Sequence, residues 1–164
     1  MTIDDEALSA FTENRESARQ LAQRLSSSIA RLKNVFPLSS EVINGIDEAT
    51  HESLDAFVKR FEQLQDLIEG RLFRGIAFLE QEDVTRLSRR DLTMLMEKLG
   101  AIGSADDWSR LSLLRNKLAH EYPMDARKQA ERLNEAFASA GSLVESLTKL
   151  CEYVASKGFA SPAP

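Results

Sequence analysis

Cysteine, glycine and proline are scarce in this chain, and each shortage excludes a kind of protein. A single cysteine, Cys151, can form neither an internal disulfide nor a cysteine-based zinc cluster, and its apolar neighbours predict a buried thiol rather than a nucleophile. Seven glycines and four prolines among 164 residues provide too few turns for a many-stranded sheet. The composition therefore favours helices.

Long hydrophobic runs are also absent, because charged residues interrupt every apolar stretch. No segment reaches the roughly 20 apolar residues that a membrane-spanning helix needs. We also find no cleavable signal and no lipidation motif. We therefore expect a cytoplasmic protein that does not contact a membrane.

A surplus of acidic residues sets the formal net charge at −5. This charge argues against a broad electrostatic grip on nucleic acid, which depends on clustered lysine and arginine. A local basic site remains compatible with it, because arginines gather at Arg71, Arg74, Arg86, Arg89 and Arg90, followed by Arg110, Arg115 and Lys117. The alternative is a solvated face on which acids and bases are interspersed.

Apolar residues recur at spacings of three and four along most of the chain, which is the pattern of amphipathic helices. The pattern predicts a long helix over 4–36 with a looser acidic start over 1–14, a second from Glu48 to Leu79, and a short third from Ser88 to Gly100. The second helix is expected to continue through Gly70 and Gly75, and a kink or break near Gly70 is the alternative. A fourth helix runs from Ser104 to Tyr122 and a fifth from Asp125 to near Gly158.

Long antiparallel helices joined by short loops define the expected fold. The predicted class is all-α, an up-and-down bundle of four main helices with one short extra helix. A length of 164 residues, of which 43% are hydrophobic, suits one core. We therefore expect a single domain over 1–157 and a disordered tail over 158–164.

Chemistry concentrates at the end of the fourth predicted helix, in the run from Arg115 and Asn116 to His120, Tyr122 and Pro123. At about 100° per residue, Arg115 and Tyr122 share a helical face, and Asn116 and His120 form an i, i+4 pair beside it. Arginine can hold a phosphate by two hydrogen bonds, and histidine can take or give a proton near neutral pH, so the cluster suits a phosphodiester. The alternative is ordinary helix-end chemistry, with cations at the C-terminus and a half-buried tyrosine.

Metal and cofactor motifs are missing. Glu48 and His51 form one Glu-x-x-His pair, but a di-metal bundle needs a second pair, and there is no glycine-rich phosphate loop. We expect neither a metal nor a cofactor. Since a bundle leaves no cleft at the end of one helix, a second copy of the chain is the simplest cover for the polar cluster.

The residues Arg115, Asn116, His120 and Tyr122 resemble the signature of the HEPN superfamily. The match is to its HepT-type toxins, whose motif is Arg, four residues, His, one residue and Tyr. The resemblance covers roughly residues 20 to 150, with long helices before the motif and one after it. It implies a HEPN-like helical fold and a metal-independent endoribonuclease that acts as a homodimer on RNA such as tRNA.

The resemblance also implies a role for each motif residue. Arg115 would hold the scissile phosphate, His120 would act as general acid or base, and Asn116 would orient the substrate or His120. The product would be a 2′,3′-cyclic phosphate. The partner of such toxins is a small nucleotidyltransferase antitoxin that adds adenylyl groups to the tyrosine, here Tyr122, and a negative adduct there would block RNA.

Two other functions remain open at this point. The chain is longer than many of these toxins and is acidic. The acidity is compatible with RNA that meets only a local basic cleft, and also with a non-catalytic HEPN module that partners a nucleotidyltransferase or binds nucleotide. The other is a plain helical-bundle interaction protein. Only the nuclease requires both Arg115 and His120.

Overall fold

The computed structural model of the chain describes residues 3–120 and 125–159 and contains no strand in these ranges. The helices are α1 (Ile3–Leu32), α2 (Ser40–Gly45), α3 (Glu48–Leu67), α4 (Phe73–Leu79), α5 (Arg89–Leu99), α6 (Ala105–His120) and α7 (Ala126–Ser156). A π-helical turn, Ile68–Leu72, joins α3 to α4 without interrupting the helix. The all-α prediction is confirmed.

The first two long helices lie antiparallel. The ring of Phe11, near the start of α1, packs on Gly75 in α4. Towards the other end of α1, Ser28 Oγ accepts a hydrogen bond of 2.7 Å from Arg60 Nη1 in α3. Residue numbers therefore rise along α1 as they fall along α3 and α4.

The other two long helices continue the up-and-down order. Ser112 of α6 contacts Glu69, and the aromatic ring of Trp108 lies 4.9 Å from that of Phe73, so α6 runs antiparallel to α3 and α4. The α7 helix returns parallel to α3 and α4, since Phe137 lies beside Phe57 and Tyr153 donates a hydrogen bond to Glu80. Four long helices with short connections form the expected bundle.

Helix ends follow local capping chemistry. Ser88 and Asp91 form a reciprocal capping box at α5, and Gly100 ends that helix with a φ of 84°. Asp47 caps α3 and Asp125 caps α7. The predicted starts of these helices are therefore confirmed.

The end of α1 and the exposure of Cys151 differ from the sequence expectations. The α1 helix ends at Leu32, one turn before Phe36, and a six-residue helix, α2, follows it before α3. The second predicted helix continues through Gly70, with one widened turn in which the N–H of Phe73 is bonded to the carbonyl of Ile68. Cys151 is partly exposed and not fully buried.

The ends of the chain are only partly covered by the structure. We expected a loose acidic segment over 1–14, and from Ile3 onward the chain is helical with Phe11 buried in the core. Of the predicted tail, Gly158 and Phe159 are described, and Phe159 packs against the core. Residues 160–164 lie outside the described residues.

The core is one continuous cluster with contributions from all seven helices and the π-helical turn. Its centre holds fully buried Phe57, Phe61 and Phe73 from the α3–α4 helix. Burial of such rings, at about 1.5–3 kcal/mol each, supplies much of the driving force for folding. None of the helices in the described ranges is long and apolar enough to cross a membrane.

The contact between α1 and α4 depends on a missing side chain at Gly75. A Cβ atom placed there would lie 2.7 Å from Phe11 Cδ2, whereas one at Gly141 in α7 meets nothing within 4 Å. We expect Gly75→Ala to lower the free energy of unfolding by about 1–3 kcal/mol through overpacking. Gly141→Ala is the matched control and should raise it by up to about 1 kcal/mol through helix propensity. Urea denaturation followed by circular dichroism measures both, and equal gains would contradict the close packing of Phe11.

Candidate active site

Three of the four motif residues occupy the last two turns of α6. Asn116 and His120 are both exposed, one turn apart, and His120 is the last residue of the helix. Tyr122 lies outside the described residues, as do the other residues of 121–124. Asn116 and His120 can therefore meet a ligand from solvent without rearrangement of the bundle.

Arg115 points to the other side, towards α3. Its Nη2 donates to the Asp66 carboxylate across the helix interface, and Nη1 donates weakly to Asn116 Oδ1 at 3.4 Å. The side chain is 21% exposed, and its buried Nε has no hydrogen-bond partner among the described residues. An anion bound by Arg115 must therefore share the guanidinium with Asp66 or displace that carboxylate.

Glu62 lies one turn before Asp66 on α3. Burial raises the pKa of its carboxyl, and the nearby negative charge of Asp66 adds to this effect. The positive charges of Arg115, Lys59 and His120 act in the opposite direction on the same pKa. Glu62 thus lies within electrostatic range of both Arg115 and His120.

A hydrogen-bonded network fixes α3 against α6 one turn from Arg115. The Gln65 amide is fully buried and donates to Ser112 Oγ and to Glu69 Oε2, each at 2.9 Å. Ser112 Oγ in turn donates to Glu69 Oε1 at 3.1 Å. Because Ser112 precedes Arg115 by nearly one turn, this network sets the register that places Arg115 opposite Asp66.

The polar residues of α3 that lie near Arg115 and its network were not among the site residues predicted from the sequence. On the basis of sequence alone, α3 is predicted only as a helix with one apolar face. A signal was nevertheless present, because polar residues recur with i, i+3, i+4 and i+7 spacing on one helical face, at Glu62, Gln65, Asp66 and Glu69. A second stripe of this kind beside the apolar stripe indicates a polar helix–helix contact.

The mid-chain arginines do not all belong to this site. Arg90 binds Asp106 at 2.6 Å and also Ser109, which ties α5 to α6. Arg110 pairs with Asp107 at 3.2 Å on the exposed side of α6. Arg90 and Arg110 therefore belong to a solvated surface on which acidic and basic side chains alternate, and not to a local basic site.

No side-chain group of the described ranges stands out as a metal centre: no three or more His, Cys, Asp or Glu residues converge there. Comparison of the sequence with models of protein families finds no match, and no curated protein is significantly similar. Any functional assignment therefore depends on the motif and on the side-chain arrangement around it.

The raised pKa of Glu62 predicts a pH-dependent effect on stability. The folded state binds the Glu62 proton more tightly than the unfolded chain does, so stability linked to this group is highest at acid pH and falls as pH rises through the raised pKa. Glutamine cannot ionise, so Glu62→Gln removes this loss of stability at higher pH. We expect the variant to gain stability over the wild type at neutral pH and to show no gain below the ordinary glutamate pKa. Thermal unfolding at the two pH values measures this, and a destabilised variant at neutral pH would instead show a favourable ion pair at Glu62.

Proposed function

We propose that this chain is a metal-independent endoribonuclease of the HEPN toxin type. The observation that carries the proposal is the placement of Arg115, Asn116 and His120 on the last two turns of α6, with Asn116 and His120 exposed. A guanidinium and an imidazole are groups that phosphodiester cleavage by an adjacent hydroxyl uses. In this proposal the enzyme acts on cytoplasmic RNA.

The proposed reaction uses the ribose 2′-hydroxyl as nucleophile. Its oxygen forms a bond to phosphorus as its proton passes to a base, and the bond from phosphorus to the 5′-oxygen breaks as that oxygen receives a proton. His120 serves one of the two proton transfers, and Arg115 stabilises the charge on the phosphoryl oxygens. Asn116, one turn from His120, orients the ribose or the imidazole.

A second copy of the chain would supply the second histidine. Support comes from Leu113, which is 57% exposed and lies two turns before His120 on the same face of α6. Burial of this leucine against a second copy would contribute the hydrophobic free energy of one side chain to the proposed interface. A two-fold axis near this face would place both His120 side chains in one cleft.

Tyr122 is the proposed control point. It follows His120 by two residues in the sequence. A nucleotidyltransferase partner that adds adenylyl groups to its hydroxyl would place negative charge next to Arg115 and repel the RNA backbone.

A second candidate is a non-catalytic module that binds a nucleotidyltransferase or a nucleotide. The observation in its favour is the acidity of the α3 face, where Asp66 already pairs with Arg115 and Glu62 and Glu69 lie on either side. Such a face weakens attraction for a polyanion. For this module, RNA remains intact while the partner or nucleotide still binds.

RNA cleavage by the purified protein separates the two candidates. We expect the wild type to cleave total tRNA in excess EDTA, and His120→Ala and Arg115→Ala each to lose at least about 100-fold in rate, the usual range for a general acid or base or for a charge-stabilising group. Arg110→Ala is the control for Arg115→Ala, because Arg110 is exposed on the same helix and its ion pair within the described residues is with Asp107.

Three results decide the matter. Cleavage that ends in a 2′,3′-cyclic phosphate and disappears in both motif variants supports the nuclease. Undiminished cleavage by His120→Ala contradicts it. Intact RNA with an unmodified Tyr122, checked by mass spectrometry, favours the binding module.

A further inference from the structure

A cavity of about 260 Å³ lies beside the candidate site, between α2, α3, the end of α6 and the start of α7. Its walls are aliphatic and consist of Ile43, Ile46, Leu54, Val58, Leu118 and Leu133. Two features join it to the site: Glu62 lines it, and Leu118 lies between Arg115 and His120 on α6. The cavity therefore adjoins the candidate site through Glu62 and Leu118.

The cavity rim carries groups of both signs. Lys59 and Arg132 are basic, Asp55 and Glu62 are acidic, and His51 and Gln129 add an imidazole and an amide. An apolar interior with a few polar groups at its edge is the usual form of a ligand site. A ligand that fits this rim has an apolar body, hydrogen-bonding groups along one edge, and an attached anion.

We propose that this cavity is a base subsite, which receives one nucleobase of the RNA strand whose backbone passes Arg115 and His120. The inference rests on the proposed function and extends it by naming what selects the substrate. Pockets for whole drug-sized ligands begin at about 300 Å³, so this volume suits one part of a ligand, such as a single base. Sequence-selective proteins recognise unpaired RNA by receiving individual bases that turn away from the strand.

The rim also indicates which bases fit. Carboxylate oxygens of Asp55 and Glu62 accept hydrogen bonds from an exocyclic amino group, and Lys59 is placed to attract the adjoining phosphate. Cytosine carries such an amino group, and uracil has a carbonyl oxygen in its place. The subsite therefore favours cytosine over uracil, although the two rings have nearly the same size.

Binding of uncleavable RNA tests the subsite without any need for catalysis. Fluorescein-labelled 2′-O-methyl oligocytidine and oligouridine lack the attacking hydroxyl, and anisotropy gives the dissociation constant of each. We expect oligocytidine to bind about tenfold more tightly, which corresponds to one hydrogen bond to a charged group. Val58→Phe fills the cavity and should weaken oligocytidine binding about tenfold, as expected for the loss of one seated base.

Matched variants keep the test decisive. Val42→Phe places the same ring on α2 at a residue that is 40% exposed and outside the cavity, and should bind like the wild type. Asp55→Asn changes an exposed residue and should reduce the preference for oligocytidine, so it serves if Val58→Phe fails to fold. Glu52→Gln, an exposed change on the same helix that does not line the cavity, is its control.

The outcomes separate the subsite from the nuclease. Equal binding of the two oligonucleotides, unchanged binding by folded Val58→Phe, or no binding of either oligonucleotide overturns the subsite, whatever the cleavage assay shows. Selective binding that Val58→Phe weakens supports the subsite even if tRNA remains uncleaved, a result that would remove only the proposed catalysis.

Discussion

The ion pair between Asp66 and Arg115 is the contact on which the account of this site depends. It joins α3 to α6 at the point where the bundle changes from packed apolar side chains to polar ones. Both residues are partly exposed, so the pair contributes little to stability by itself, and its main effect is to fix the direction of the guanidinium. A fixed arginine with donors to spare is ready to bind an anion, because less conformational entropy is lost on binding.

The surroundings of this pair follow from the packing of the bundle. The buried network of Gln65, Ser112 and Glu69 holds the two helices in register, and Trp108 packs on Phe73 one turn further along α6. The end of α6 therefore has a rigid base, while Asn116 and His120 project to solvent. Acidic neighbours lower the attraction for RNA as a whole, so the proposed function requires local contacts rather than a broad electrostatic attraction.

Much of the fold was predictable because its signals are local. The helical period, the Ser88–Asp91 capping box and the helix starts near Glu48 and Asp125 depend on a few neighbouring residues, and each was predicted correctly from the sequence. The π-helical turn was not predicted. The low helix propensity of glycine indicates a weak point in the helix, but tertiary packing decides how the backbone accommodates it. The partner of Arg115 was also missed, because a contact between residues 66 and 115 depends on the register of two distant helices. The polar stripe on α3 was the available signal.

The central claim is that Arg115 is an anion-binding group that Asp66 holds in place. Nitrogen-15 NMR of the arginine side chains tests this directly, because Arg115 Nε is buried and its signal reports on the guanidinium whose partly exposed groups would meet the anion. On titration with an uncleavable 2′-O-methyl RNA, we expect the Arg115 Nε signal to shift in proportion to occupancy, and the Arg110 signal to stay in place. RNA binding that leaves the Arg115 signal unchanged would contradict the account, because the strand would then be held somewhere other than the end of α6.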